Sequence, residues 1–332
     1  MERPRRGAVS PRLPSEGDER LAQALDHLTD RQRAAAECPS LPLCIVAGAG
    51  SGKTRVLTLR AAARIHDGSA EADHTVVCTF TRKASAELRD RLIGYGIPVS
   101  VPGPGRVPTP GVRVGTVHQL ALTLIRRHCV DHGAVVPTVL EHRGPLLRSV
   151  TDSPAAAAVL GVEIAWAKAR GLTPDAYRSE IESGRRRAPG NAEEVVTGFA
   201  AYETALERRG AVDLDDLLVR AAQLLVADEA FATRMRWRYR HLSVDEFQDV
   251  NPAQFRLIRA LLGDSPDLCV VGDPHQAIYG WNGADPTLLE RLPQAFESLT
   301  VLQLADNHRS VPSIVELGDE VLGDLRRYRF RS

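Results

Sequence analysis

Aromatic side chains are scarce in this chain: Trp, Tyr and Phe together make up 5% of its 332 residues. The core must therefore be filled chiefly by Leu, Val, Ile and Ala, and two aromatics close together in a polar segment stand out. Net charge is absent as well. With 42 basic and 42 acidic residues, no global field draws the chain to nucleic acid, and any such site has to be a local patch. There is no run of about 18 apolar residues and no charged-then-apolar leader, so the expectation is a cytoplasmic protein without a membrane partner. The five cysteines include no C-x-x-C pair. Cys44, Cys78 and Cys269 each sit inside an apolar run (LCIVAG, VVCTF, LCVVGD), which predicts buried reduced thiols rather than disulfides or metal ligands.

What is present begins with residues 45–54, IVAGAGSGKT. An apolar strand runs into a glycine-rich loop that ends in Lys-Thr. Gly48, Gly50 and Gly52 let the backbone wrap a phosphate chain with its N–H groups, Lys53 brings a positive charge, and Thr54 brings a hydroxyl for Mg²⁺. The following TRVLTLRAAARI reads as a helix whose N-terminus faces the same anion. The usual pattern has Gly at its first position, where this chain has Ala47; the strand before and the helix after still define a nucleoside-triphosphate cradle.

Residues 1–27 open with Pro, Gly and charges of both signs and are expected to be a disordered tail. LTDRQRAAAE then reads as a helix start with Thr29 or Asp30 as cap. Four apolar runs (LCIVAG, TVVCTF, HLSVDEF, LCVVGD) alternate with helical stretches, and each ends in polar residues. That rhythm predicts an α/β fold with a parallel sheet, whose ligands bind at the C-terminal ends of the strands. Residues 98–115 are a Pro/Gly-rich break, expected as a surface loop. Between 119 and 210 the strand signal fades and helical spacing takes over, so this stretch is expected as a helical insertion. The sheet domain is then discontinuous, 28–118 and 211–297. A further strand and helix follow in SLTVLQLADNHRS and PSIVELGDEVL.

The strand ends carry the chemistry. VDEFQD places Asp245 and Glu246 together, one suited to the shell of a metal ion and one to taking a proton from an attacking water. VVGDPHQAIYGWNGADP offers Gln276 for a γ-phosphate and Tyr279 and Trp281 as a stacking platform for unpaired bases. Phe80, Thr81, Arg82 and Lys83 open a helix whose N-terminus suits backbone phosphate, and Thr116 and His118 occupy a similar position. Read by themselves, a histidine such as His118 is more often structural, and an arginine such as Arg309, in NHRS, is more often a surface ion-pair residue.

Taken in order, LTDRQRAA, AGAGSGKT, TFTRKASAELRDRL, GTVHQLA, VDLDDLL, VDEFQDVNPAQ, VVGDPHQAIYGWNGA and NHRS resemble the superfamily 1 DNA helicases of the UvrD/Rep/PcrA type. The resemblance implies a RecA-like P-loop NTPase sheet with a helical insertion subdomain at 119–210, and only the start of a second RecA-like domain at 298–332. It implies ATP and Mg²⁺ as ligands. Gln32, Ala47, Gly48, Ala49, Gly50, Ser51, Gly52, Lys53, Thr54, Arg55 and His308 are the implied nucleotide contacts, with Thr54 and Asp245 on the metal. Lys53, Asp245, Glu246, Gln276 and Arg309 are the implied catalytic set. Phe80, Thr81, Arg82, Lys83, Thr116, His118, Tyr279 and Trp281 are the implied contacts to single-stranded DNA or 3′-tailed duplex, with movement 3′ to 5′, a role in repair or recombination, and association with the nucleoid. His308, Asn282 and Val117 depart from the family's usual Tyr, Arg and Phe, which bears on adenine stacking and DNA affinity. The family runs on for several hundred residues more, so the chain reads as the ATP-binding portion of such a helicase, weakly active alone and completed by a C-terminal half or partner subunit. The alternative readings are a truncated ATP- and DNA-binding module without turnover and a helicase-nuclease subunit.

Overall fold

Six short strands build one parallel sheet: β1 (Leu43–Ala47), β2 (Thr75–Thr79), β3 (Arg113–Thr116), β6 (His241–Val244), β7 (Leu268–Gly272) and β8 (Thr300–Leu304), in the spatial order β3-β2-β6-β7-β1-β8. A separate two-stranded parallel ribbon pairs β4 (Thr138–Leu140) with β5 (Ala211–Asp213). The computed structural model describes residues 15–101, 109–278, 280, 283–311, 313–316 and 320. Within the expected 98–115 loop, residues 102–108 lie outside this set, as does most of the helix expected at PSIVELGDEVL.

Period-2 alternation decides which way each strand residue faces. Cys44, Val76, Cys78, Val244 and Val270 enter one core, while Leu43, Ile45, Val77, Cys269 and Val271 enter another on the opposite face. Both faces are covered, which is why the strands read as unbroken apolar runs. The three strand cysteines are buried free thiols, as their apolar settings predict, and burial pushes all three well above the ordinary thiol range.

Helices α1 (Glu16–Asp26), α2 (Asp30–Glu37), α3 (Lys53–His66) and α4 (Arg82–Gly94) supply the second core. The expected disordered tail over 1–27 is corrected here: residues 16–26 are helical, and only 1–14 lie outside the description. Ser15 caps α1 reciprocally with Asp18, and Leu21, Ala24, Leu25 and Leu28 recur at helical spacing to meet the core. That apolar stripe outweighs the polar composition around it. Thr29, with Gln32, forms the capping box that opens α2.

The chain continues through α5 (Val117–Asp131), then α6 (Gly144–Arg148), α7 (Pro154–Ala169), α8 (Pro174–Glu182) and α9 (Ala192–Arg208). It returns to the sheet with α10 (Leu214–Ala227), α11 (Glu229–Arg238) and α12 (Pro252–Leu262). Helices α6–α9 have a core of their own around Tyr177, Phe199 and Tyr202, so a helical insertion is present. Its start differs from the expected residue 119. Leu120, Ala121, Leu124 and Ile125 of α5 pack with the strands, so α5 belongs to the sheet layer and the insertion begins beyond it, at the β4–β5 neck.

The expectation that 298–332 opens a second domain is also corrected for its strand. β8 pairs with β1 from Leu43↔Thr300 to Ala47↔Leu304 and is the sixth strand of the first sheet. Without it the backbone groups along one side of β1, the strand that carries the glycine loop, would be left as a free edge.

One buried ammonium fastens the insertion to the sheet layer. Lys168 of α7 is 4% exposed and reaches Asp213 (3.0 Å), Asp216 (2.8 Å) and Glu203 (2.7 Å), and Tyr202 donates to the same Asp213 at 3.0 Å. Burial pulls the Lys168 pKa down, but the three carboxylates outweigh it and the net shift is upward. Lys168→Met would leave Asp216 and Glu203 without their cation and Asp213 with Arg143 alone, 3.3 Å away, in a dry seam. We expect it to cost about 3–5 kcal/mol in urea unfolding followed by circular dichroism. A loss below about 1 kcal/mol, the scale of an exposed pair, would show that water screens this cluster.

Candidate nucleotide site

The loop between β1 and α3 lies at the C-terminal edge of the sheet, flanked by β7 and β8. Ala47 is the last residue of β1 and is fully buried in the apolar core. It has no positive φ, so an alanine methyl is accommodated where the usual pattern has glycine. The permissive positions are further on: Gly50 at φ +72° and Gly52 at φ +84°, the left-handed residue that opens α3. Ser51 ties the loop back on itself, its Oγ donating to the Gly48 carbonyl at 2.8 Å.

Three strand ends, those of β1, β6 and β7, bring the expected polar residues together. Lys53 is 8% exposed. Its Nζ donates to Gln276 Oε1 at 3.1 Å and stands 3.5 Å from Glu246 Oε2. Thr54 Oγ1 donates to Asp245 Oδ2 at 2.9 Å. Two residues that sequence reasoning did not assign close a ring around Lys53. Gln248 donates from Nε2 to Glu246 Oε2 at 2.8 Å and accepts the Asp273 N–H on its Oε1 at 2.9 Å. Asp273 Oδ2 then accepts from Gln276 Nε2 at 2.7 Å. Gln248 was visible inside VDEFQD, but nothing in the sequence shows that its amide spans two strands.

Glu246 has φ 52° and ψ 46°, alone among the described non-glycine residues in the left-handed region. Such a conformation costs about 1–3 kcal/mol and persists where the surroundings fix it; here Gln248 and Lys53 hold the carboxylate.

Negative charge exceeds positive charge in this cluster. Burial, and then the Glu246 carboxylate, push Asp245 up to about 6, against the Thr54 hydroxyl and the Lys53 ammonium that favour its charged form. The same two causes push Asp249 up to about 6, and its Oδ1 is buried with no hydrogen-bond partner among the described residues. Three carboxylates around one ammonium fit a divalent cation, which relieves their repulsion. Mg²⁺ is therefore compatible with these side chains, and Thr54 and Asp245 are the ones that would hold it.

The remaining nucleotide candidates divide. Gln32 is buried beside the loop: its Nε2 donates to the Ser51 carbonyl at 2.8 Å and its Oε1 accepts the Thr29 N–H at 3.2 Å. The NHRS segment folds onto the same loop, with His308 N–H donating to the Gly50 carbonyl at 3.0 Å and Asn307 Oδ1 accepting the Arg309 N–H at 2.8 Å. Arg55 is engaged elsewhere; its guanidinium donates to the Ala24 carbonyl at 3.2 Å and ties α3 to α1.

The candidate DNA residues gather at the neighbouring strand ends. Phe80 follows β2, and Thr116 ends β3. Three strand spacings separate β2 from β1, about 14 Å at 4.8 Å each. Thr81 and Thr116 are N-caps, their hydroxyls accepting from Ala84 N–H (3.1 Å) and Gln119 N–H (3.3 Å). Arg82 and Lys83 are exposed. His118 is half-buried near Asp213, Asp215 and Arg143; burial lowers its pKa, partly offset by the two aspartates. Tyr279 and Trp281 lie outside the described residues.

A parallel sheet with a glycine loop, a Lys-Thr pair and an acidic pair at its C-terminal edge defines a P-loop protein of the α/β class. Residues 28–297 match the UvrD/REP helicase N-terminal domain, and the chain belongs to that family. It is 36% identical over 315 residues to the ATP-dependent DNA helicase UvrD2 of Mycobacterium tuberculosis, covering 90% of this chain and 44% of the relative. DNA helicase II of Escherichia coli is 32% identical over 316 residues, 91% of this chain and 41% of the relative. ATP-dependent DNA helicase Rep of Escherichia coli is 30% identical over 304 residues, 90% and 43% respectively. The chain thus spans less than half the length of these curated relatives. No described helix is long and apolar enough to cross a membrane.

A Cβ added at Gly50 would meet Asn307 Oδ1 at 2.6 Å and Arg309 Cβ at 2.8 Å, on top of the positive φ. Gly50→Ala is therefore expected to lift the NHRS segment off the loop. It should lower stability by at least about 1 kcal/mol and weaken ATP retention. Thermal melting with and without ATP and Mg²⁺ reads both effects; a variant that melts and binds like the parent would show that the two segments do not touch in solution.

Proposed function

We propose that this chain is the ATP-binding portion of a motor that couples ATP hydrolysis to 3′ to 5′ movement along single-stranded DNA and so unwinds 3′-tailed duplex. The observation that carries the proposal is the closed ring Lys53–Gln276–Asp273–Gln248–Glu246, set beside Thr54–Asp245 at one sheet edge. The names of the relatives, all ATP-dependent DNA helicases or a DNA helicase, support the same reading.

Each residue then has a physical task. The loop N–H groups and Lys53 bind the triphosphate, with Gln32 and His308 at its base end. Mg²⁺, when bound, neutralises charge on the phosphates. Glu246, held by Gln248, takes the proton from the attacking water. Arg309 stabilises charge that builds on the γ-phosphate. Gln276 is the relay: phosphate oxygens displace its amide from Lys53, and the freed side chain reports nucleotide state to the platform residues Tyr279 and Trp281. Phe80, Thr81, Arg82, Lys83, Thr116 and His118 line the DNA track on the adjoining strands, through the side chains or backbone that the caps leave available. Work in DNA repair or recombination, in the cytoplasm and on the nucleoid, follows from that activity.

Two variants separate the roles. Lys53→Ala should abolish ATP binding or hydrolysis and spare retention of an oligothymidine. Trp281→Ala should do the reverse, costing about 1–3 kcal/mol of single-strand binding. The 332-residue chain assayed alone should turn over more slowly than about 10 s⁻¹, the median for enzymes, because it covers under half of the relatives' length. Hydrolysis that survives Lys53→Ala would refute the proposed site, and DNA-stimulated turnover above that rate would refute the need for further residues.

A further inference from the structure

Away from the nucleotide ring, His128, His132 and Asp228 form a three-donor cluster that the proposed chemistry does not use. We propose that it binds a borderline divalent cation of the Zn²⁺ type, clamping the C-terminal end of α5 to the start of α11. The two histidines are four residues apart on one helical face, and Asp228 is the N-cap of α11. Their ligand atoms all lie within 4.8 Å of one another.

Hydrogen bonding sets the donors. Asp228 Oδ1 accepts the Phe231 N–H at 2.9 Å, which fixes the carboxylate and leaves Oδ2 facing the histidines. That Oδ2 stands 3.4 Å from His128 Nε2 and 3.3 Å from His132 Nε2. His132 Nδ1 is 2.9 Å from the His128 carbonyl, which can only accept, so Nδ1 carries a proton. In the neutral ring, Nε2 then presents its lone pair to a carboxylate oxygen. A backbone carbonyl fixing the tautomer from behind is the usual outer arrangement of a metal-bound histidine.

The spacing agrees with a shared cation. A charge-assisted N–H···O contact closes to about 2.7–2.9 Å, shorter than either distance here. With metal–ligand bonds of about 2.0–2.1 Å, the edge of a tetrahedron is about 3.3 Å. The imidazoles stack with centroids 4.1 Å apart and planes at 23°, and the edge contact of Phe231 at 5.0 Å steadies His128. The guanidinium of Arg234 also acts on Asp228. Two imidazoles and a carboxylate are a donor set that Zn²⁺ accepts, with solvent at the fourth position because His132 is about half exposed.

The test uses the tag-free full chain in excess Mg²⁺, with Co²⁺ as the optical probe and Zn²⁺ as competitor. One equivalent of Co²⁺ should give the intense visible absorption of a four-coordinate site, and Zn²⁺ should displace it. His132→Gln, and Asp228→Asn, which retains the capping oxygen, should each weaken binding at least about 10–100-fold, the loss typical of outer-shell changes, with unaltered far-ultraviolet circular dichroism. Asp245→Asn should leave the signal intact. Absence of the absorption, a weak six-coordinate spectrum, parental affinity in the His132 or Asp228 variant, or loss of binding in Asp245→Asn would each overturn the proposal.

Discussion

All six strands of the main sheet run in one direction, and the geometry of the site rests on that constraint. Parallel pairing sends every strand's C-terminal end to the same edge, so residues 53, 245 and 276 meet and residues 116 and 309 stand along the same edge although all are spread across the chain. It also demands crossover connections, and these become the two helical layers that bury both faces. A parallel sheet cannot leave a face wet, so the apolar character of the strands, the burial of three cysteines and the position of the polar edge share one cause.

Within that edge, Lys53 is the charge that makes the cluster tolerable. Asp245, Glu246 and Asp249 are held close together, and among the described residues only one ammonium lies among them. In the proposed function an anion would draw Lys53 from Gln276, and a cation would take its place among the carboxylates. The NHRS segment reaches the glycine loop from an unexpected direction. Because β8 is hydrogen-bonded to β1, Arg309 is brought to the loop by the same sheet that carries the loop.

Much of this was legible beforehand. The strand runs, the glycine loop, the acidic pair and the family itself could be read from short patterns, because backbone geometry demands those residue types at those spacings. What escaped was whatever depends on three-dimensional pairing. α1 was hidden by composition, although Leu21, Ala24, Leu25 and Leu28 carried the helical stripe. β8 looked like the start of something new because sequence order does not reveal that its partner is β1, over 250 residues earlier. The α5 boundary was misread since its apolar face enters the core that the strands share with α10 and α12, not that of the insertion helices. Gln248 and Asp273 were missed because their role lies in amide and carboxylate geometry between strands, which no local pattern encodes.

The left-handed backbone at Glu246 places folding and chemistry in opposition at a single position. Glycine or asparagine would relax that conformation, so a population of variants screened only for heat resistance would drift toward exchanging the glutamate. The sturdiest member of such a population would be one that had lost the carboxylate beside Lys53. At this residue, greater robustness and retained activity are competing outcomes of selection.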